Sequence, residues 1–197
     1  MKERISRAIV SVSNKTGLIK LGKRLEGLGI QVISTGGTAR ELKEAGVLVT
    51  QVSDYSGFPE ILRGRLKTLN PRVMGGIIGE VGVDDAEMQQ YGIQPIPLVF
   101  VNFYLFEEET KKPGITRAEV IEKMDVGGPT MVRAAAKNGA IVVVDPEDYD
   151  WVVDEIERTG DVDPLRKWQL AQKVFELTSA YDAGILEWLE KNPPKAA

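Results

Sequence analysis

The sequence predicts an α/β protein: three layers, with a mostly parallel sheet, helices on both of its faces, and a helical C-terminal extension. Three observations carry this. Short runs rich in Val and Ile recur along the chain, in the manner of strands buried on both faces. Leucine-spaced helical segments separate the first of these runs, and strand-helix-strand alternation implies parallel pairing. Glycine and Asn-Pro signals punctuate the junctions.

The first strand is Ala8-Ile9-Val10-Ser11-Val12. Residues 16–28 follow as a helix, with Leu18, Leu21, Leu25 and Leu28 on one face, and Gly29 ends it as a C-terminal glycine. Gln31-Val32-Ile33-Ser34 is the second strand, Thr35-Gly36-Gly37 a turn, and residues 38–45 a short helix. Residues 47–52 form a third strand. The middle reads as irregular, broken by Gly57-Phe58-Pro59, Asn70-Pro71 and the glycine-rich Gly75-Gly76-Ile77-Ile78-Gly79. Pro97-Leu98-Val99-Phe100-Val101 is a buried strand. Helices are expected over 116–123 and 127–137, a last strand at Ile141-Val142-Val143-Val144, and a helix over 146–158. Residues 163–190 carry a stripe of Leu165, Trp168, Ala171, Val174, Phe175, Thr178, Tyr181, Ile185 and Trp188, which suits core or dimer packing. With no internal repeat or linker, residues 1–197 are expected to form a single domain.

Composition narrows the chemistry. Of 197 residues, 43% are hydrophobic and 27% charged, which is the balance of a globular protein. The chain has no Cys and no His, so a thiol nucleophile, a cysteine or histidine zinc site and a histidine base are all excluded. A net charge of −4 argues against general nucleic-acid binding. No apolar run approaches the roughly 18 residues of a membrane span, and the apolar stretch behind the charged N-terminus is too short for a secretory signal. A cytoplasmic protein is expected.

Two loops at neighbouring strand ends carry anion-binding chemistry. Ser11-Val12-Ser13-Asn14-Lys15-Thr16-Gly17 follows the first strand and Ser34-Thr35-Gly36-Gly37-Thr38 the second. Hydroxyls, glycine amides, a lysine and helix N-termini at the carboxyl ends of parallel strands suit a phosphate. The segment 17–24 imitates a nucleotide P-loop, but Arg24 stands where a magnesium-binding Ser or Thr is needed, and it lies inside a helix. No GxGxxG follows a strand, which argues against a dinucleotide site. Arg63, Arg65, Lys67 and Arg72 form either a solvated patch or an anion clamp. Asp125-Val126-Gly127-Gly128-Pro129-Thr130 places an acid ahead of a helix, where it serves as a cap or faces a ligand. Asn102-Phe103-Tyr104 brings an amide and a phenol to another strand end.

Together and in order, these motifs, with Val52-Ser53-Asp54-Tyr55-Ser56-Gly57-Phe58-Pro59-Glu60, Arg65-Leu66-Lys67-Thr68-Leu69 and Arg133-Ala134-Ala135-Ala136-Lys137-Asn138, resemble a known family. It is the IMP cyclohydrolase domain of bifunctional AICAR transformylase/IMP cyclohydrolase, and the resemblance runs from Ala8 to about Leu189. It implies the methylglyoxal-synthase-like fold and ring closure of the formylated aminoimidazole carboxamide ribotide to IMP with loss of water. It implies no cofactor and no metal, a small-molecule nucleotide as partner rather than nucleic acid or membrane, and a homodimer. By resemblance, Ser11, Ser13, Lys15, Ser34, Gly36, Gly37 and Thr38 would hold the 5′-phosphate, and Thr16 belongs with the substrate-binding residues. Arg65, Lys67 and Thr68 would line the base and ribose side, with Asn102, Val126 and Gly127 positioning the substrate. Lys67, Tyr104, Asp125 and Lys137 would carry the chemistry.

The sequence departs from that family at three of its histidine positions, where Asn70, Met74 and Gly139 stand, the last beside a short deletion. The family's Asn-Leu-Tyr-Pro-Phe reads Asn102-Phe103-Tyr104-Leu105-Phe106. The transformylase domain has no counterpart among the 197 residues. Two other readings compete: a non-catalytic sensor of nucleotides or phosphorylated metabolites on the same fold, and methylglyoxal synthase, whose usual active-site histidine has no counterpart here.

Overall fold

A computed structural model describes residues 5–104, 106, 110 and 114–194. Its five strands are β1 (Arg7–Val12), β2 (Gln31–Ser34), β3 (Val49–Gln51), β4 (Leu98–Asn102) and β5 (Ile141–Val143). They form one wholly parallel sheet in the order β3-β2-β1-β4-β5. β1 is central, with Val10 beside Ser34 of β2 and Val12 beside Asn102 of β4. The strand order reverses at β1, the switch point at which open parallel sheets bind ligands beyond their carboxyl ends.

Alternation along the strands divides the core. Ala8, Val10, Val12, Leu98, Phe100, Ile141 and Val143 point to one face. There they meet α1 (Leu18–Gly27), Leu42 of α2 (Gly36–Glu44) and α8 (Tyr149–Thr159). Ile9, Val99, Val101 and Val142 point to the other face. They meet α3 (Val52–Ser56), α4 (Pro71–Ile78), α7 (Gly127–Asn138) and the later part of α9 (Pro164–Lys191). Two further short helices are α5 (Asp85–Gln90) and α6 (Arg117–Glu122). None of these helices is long and apolar enough to cross a membrane.

The alternation of strands and helices agrees with the sequence expectation, while the details differ in instructive ways. The third strand is only Val49–Gln51, because Val52 turns into α3 and buries its side chain beneath the sheet. The glycine-rich 75–79 stretch is largely helical. A Cβ on Gly76 would lie 2.5 Å from the Gln94 carbonyl oxygen, and one on Gly75 would lie 2.8 Å from Ile93, so these glycines let α4 pack directly on the chain leading into β4. The stripe expected over 163–190 lies on one 28-residue helix, Pro164–Lys191, and it splits. Val174, Thr178 and Tyr181 are buried, whereas Leu165, Trp168 and Phe175 are more than half exposed.

Candidate functional site

At the carboxyl ends of β1, β2 and β4 lies an open cavity of about 350 Å3. Ser11, Val12, Ser13 and Lys15 form one wall, and Thr35, Gly36, Gly37 and Thr38 form the next. Lys67 enters from the segment before α4, and Phe103 and Tyr104 from the exit of β4. Lys123 and Asp125 come from the link between α6 and α7, and Tyr181 from α9.

The first two walls are tied together by side chains. The Thr38 hydroxyl donates to the Val12 carbonyl at 3.0 Å and accepts the Val12 amide at 3.1 Å, fixing the start of α2 to the end of β1. The Lys15 ammonium donates to that same hydroxyl at 2.8 Å and to the Val12 carbonyl. Burial lowers the Lys15 pKa below the ordinary lysine range, against a smaller opposing pull from Glu41. At the sheet's switch point, Asn102 braces the loop after β1. Its Oδ1 accepts the amides of Ser13 and Asn14 at 2.8 and 2.9 Å. Its Nδ2 donates to the Asn14 carbonyl at 3.3 Å and to the Tyr149 hydroxyl at 3.1 Å. Tyr149 is buried edge-on against Phe100, and that burial raises its phenol well above the usual tyrosine range.

The remaining walls come from distant segments. The Tyr104 hydroxyl donates to the Ser13 carbonyl at 3.1 Å, so its phenol touches the first wall. Oδ1 of Asp125 accepts the Gly128 amide at 3.1 Å, serving as a cap for α7 while the residue still lines the cavity. A Cβ on Gly128 would lie 2.4 Å from Asp125 Oδ2, and one on Gly127 would lie 2.9 Å from the Thr68 hydroxyl. Both glycines therefore clear space for neighbouring side chains. Among the described residues, the Lys67 ammonium has no hydrogen-bond or ion-pair partner. Nor is any group of three or more acids placed there to hold a metal ion.

Of the residues expected from the sequence, the cavity gathers Ser11, Ser13, Lys15, Gly36, Gly37, Thr38, Lys67, Tyr104 and Asp125. Thr16, Ser34, Arg65, Thr68, Asn102, Val126, Gly127 and Lys137 stand off its wall. Ser34 is fully buried and its hydroxyl donates to the Val10 carbonyl at 2.6 Å, inside the sheet. Arg65 forms a two-point pair with Glu122 of α6 at 3.0 and 2.6 Å. Lys137 is exposed ten residues into α7, about 15 Å along the helix axis from Gly127. Asn70 caps α4 by accepting the Arg72 amide at 2.8 Å, Met74 packs against the core, and Gly139 ends α7 with φ 70°. None of these three positions lines the cavity. Leu105 lies outside the described residues.

Val12, Thr35, Phe103, Lys123 and Tyr181 line the cavity without being among the site residues expected from the sequence, where Tyr181 reads only as part of an apolar stripe. Tyr181 has a signal in retrospect: a phenol on a helix's buried stripe needs a partner for its hydroxyl.

Comparison with known proteins bears on this cavity. The MGS-like domain model matches residues 17–130, and the AICARFT/IMPCHase bienzyme model matches residues 135–197. The bifunctional purine biosynthesis protein PurH of Sorangium cellulosum (strain So ce56) is 49% identical over 199 residues, covering 98% of this chain. The chain spans 38% of that relative's length. A solved structure titled "Crystal structure of ForH" superposes with a TM-score of 0.82 at 41% identity, covering 92% of this chain and 97% of the other.

Proposed function

The chain belongs to the MGS-like domain family, and from that premise we propose that it is an IMP cyclohydrolase, closing the purine ring of the formylated aminoimidazole carboxamide ribotide with loss of water. One observation carries the reading: a single cavity unites the two hydroxyl- and glycine-rich loops with Lys67, Tyr104 and Asp125.

In this reading the 5′-phosphate sits between Ser13, Lys15 and the N-terminus of α2, where amides and an ammonium favour an anion. The reacting nitrogen and carbon belong to one molecule, so the protein's main task is orientation. Asp125 takes a proton from the carboxamide nitrogen as the new N–C bond forms. The formyl oxygen gains negative charge, which the Lys67 ammonium stabilises, and the proton held by Asp125 passes to it to give a hydroxyl. The formamido nitrogen then loses its proton as its C=N bond forms and the C–O bond breaks, and that proton leaves with the hydroxyl as water. A carboxylate and an ammonium do this work in a chain that has no histidine.

The position of Lys137 outside the cavity favours a second reading, a ligand-sensing domain of the same fold. One experiment separates the two. The purified protein is mixed with the formylated ribotide and IMP absorbance is followed. Growth of the IMP spectrum at a rate proportional to protein supports ring closure. Saturable binding without IMP formation supports the sensor.

A further inference from the structure

Asp125 lies in the short non-helical link between α6 and α7, with nothing of regular structure to fix its backbone. Its amide is nevertheless held. It donates to the Tyr181 hydroxyl at 2.7 Å, and that hydroxyl donates in turn to the Lys123 carbonyl at 3.5 Å. One phenol thus brackets the link on both sides of Met124. Tyr181 is almost wholly buried on α9, 56 residues further along the chain. Its ring meets Phe103 edge-on with centroids 4.9 Å apart, and Phe106 at 6.2 Å. Phe103 is the neighbour of Tyr104. A single side chain from the C-terminal helix therefore touches both the strand exit that carries Tyr104 and the link that carries Asp125.

We infer that Tyr181 is a positioning residue for the reaction: its hydroxyl sets the backbone of Asp125 so that the carboxylate faces the reacting nitrogen. Asp125 Oδ1 already accepts the Gly128 amide, which fixes one end of the residue. The Tyr181 bond fixes the other. Held at both ends, the carboxylate keeps one orientation while it takes up a proton. Displacements of about 1 Å in such groups cost up to roughly 100-fold in rate.

This inference rests on the proposed ring closure for its kinetic readout, and has a second readout that does not. Tyr181→Phe keeps the ring and both edge contacts and removes only the hydroxyl. The expected result is a fall in kcat of about 10- to 100-fold with KM changed less than about twofold, as when an interaction of the transition state alone is lost. Combined with Asp125→Asn it should add little further loss, because both changes act through one carboxylate. Amide hydrogen exchange of the substrate-free protein supplies the other readout. In Tyr181→Phe the Asp125 amide should lose about tenfold or more of its protection, while the sheet amides keep theirs. A wild-type kcat, an effect confined to KM, a fully additive double variant, or an Asp125 amide as protected as in wild type would each overturn the inference. A wild type that forms no IMP breaks the ring-closure reading instead, and the exchange measurement then decides on Tyr181.

Discussion

The two halves of the cavity are built in opposite ways. The anion half consists of two short loops that leave adjacent parallel strands, so the register of β1 with β2 already sets them side by side. Thr38 and Asn102 then stitch each loop to its neighbour through backbone groups, and Lys15 does so through the Thr38 hydroxyl. The reaction half is collected from four places far apart in the chain, and single side-chain contacts hold its pieces. Arg65 pairs with Glu122, Tyr104 reaches Ser13, and Tyr181 holds Asp125. The anion half is thus pre-organised by the sheet itself, whereas the reaction half depends on remote anchors. Damage to the first should show in binding and stability together, and damage to the second in turnover alone.

The largest effect should come from Lys67→Ala. Lys67 lines the cavity, has no hydrogen-bond or ion-pair partner among the described residues, and packs into neither core cluster, so the fold loses little. Removal of one charge-stabilising donor typically costs about 100- to 1,000-fold in kcat. The measurement is kcat and KM with the formylated ribotide, beside a thermal melt. A variant that keeps its kcat would remove Lys67 from the reaction and blur the contrast between the halves.

Asn102→Ala should act on the other half and in the other manner. It removes the side-chain acceptor of the part-buried Ser13 and Asn14 amides and the buried donor to the Tyr149 hydroxyl, while the Ser13 amide keeps the Asn102 carbonyl at 3.2 Å. Hydrogen bonds of this kind contribute about 0.5–1.5 kcal/mol each, so the melting temperature should drop. Affinity for ribose 5-phosphate should weaken about tenfold or more as the loop loosens. Calorimetry and a thermal melt on one sample test both. Intact affinity in a destabilised variant would mean that the loop keeps its shape without Asn102.

That contrast also explains what could be read from the sequence. The anion loops were legible because their chemistry is contiguous: Ser11 to Gly17 and Ser34 to Thr38 each carry hydroxyls, glycines and strand ends within a few residues. Lys67, Tyr104 and Asp125 stand out locally as a basic-patch lysine, a strand-end phenol and an acid ahead of a helix; the family resemblance implies their shared role, and the fold brings all three to one cavity. What stayed hidden was pairing. Nothing local shows that the Ser34 hydroxyl is used up by Val10, or that Arg65 answers to Glu122. Tyr181 sits among aliphatic positions of an amphipathic helix, where a core role is the ordinary expectation. α4 reads as a break because glycines at 75 and 76 signal one locally, while tertiary packing against Ile93 and Gln94 requires them in a helix.

The smallest and most specific effect concerns the charge on Lys15. Burial lowers its pKa in the free protein, so in an alkaline window below the ordinary lysine value it is partly neutral. A bound phosphate dianion favours the ammonium, and binding in that window therefore takes up a proton. Affinity for ribose 5-phosphate should fall as pH rises through the window, by at most about tenfold per pH unit for a single proton. The stability of the free protein runs the other way. There the unfolded chain holds more protons at this residue than the folded one, so the Lys15 contribution grows more favourable as pH rises. Tyr149, whose pKa is raised by burial, acts in the opposite sense on stability, since the folded state then keeps a proton that the unfolded state gives up. Lys15→Arg separates the two, because arginine stays charged throughout while Tyr149 is unchanged. The difference between wild type and Lys15→Arg should show falling affinity and rising free-protein stability over the same pH range. Titration calorimetry and thermal melts at a series of alkaline pH values supply both curves. An affinity that falls equally in Lys15→Arg would assign the proton to another group, and the anion half would then bind through its amides and hydroxyls rather than through a lysine poised by burial.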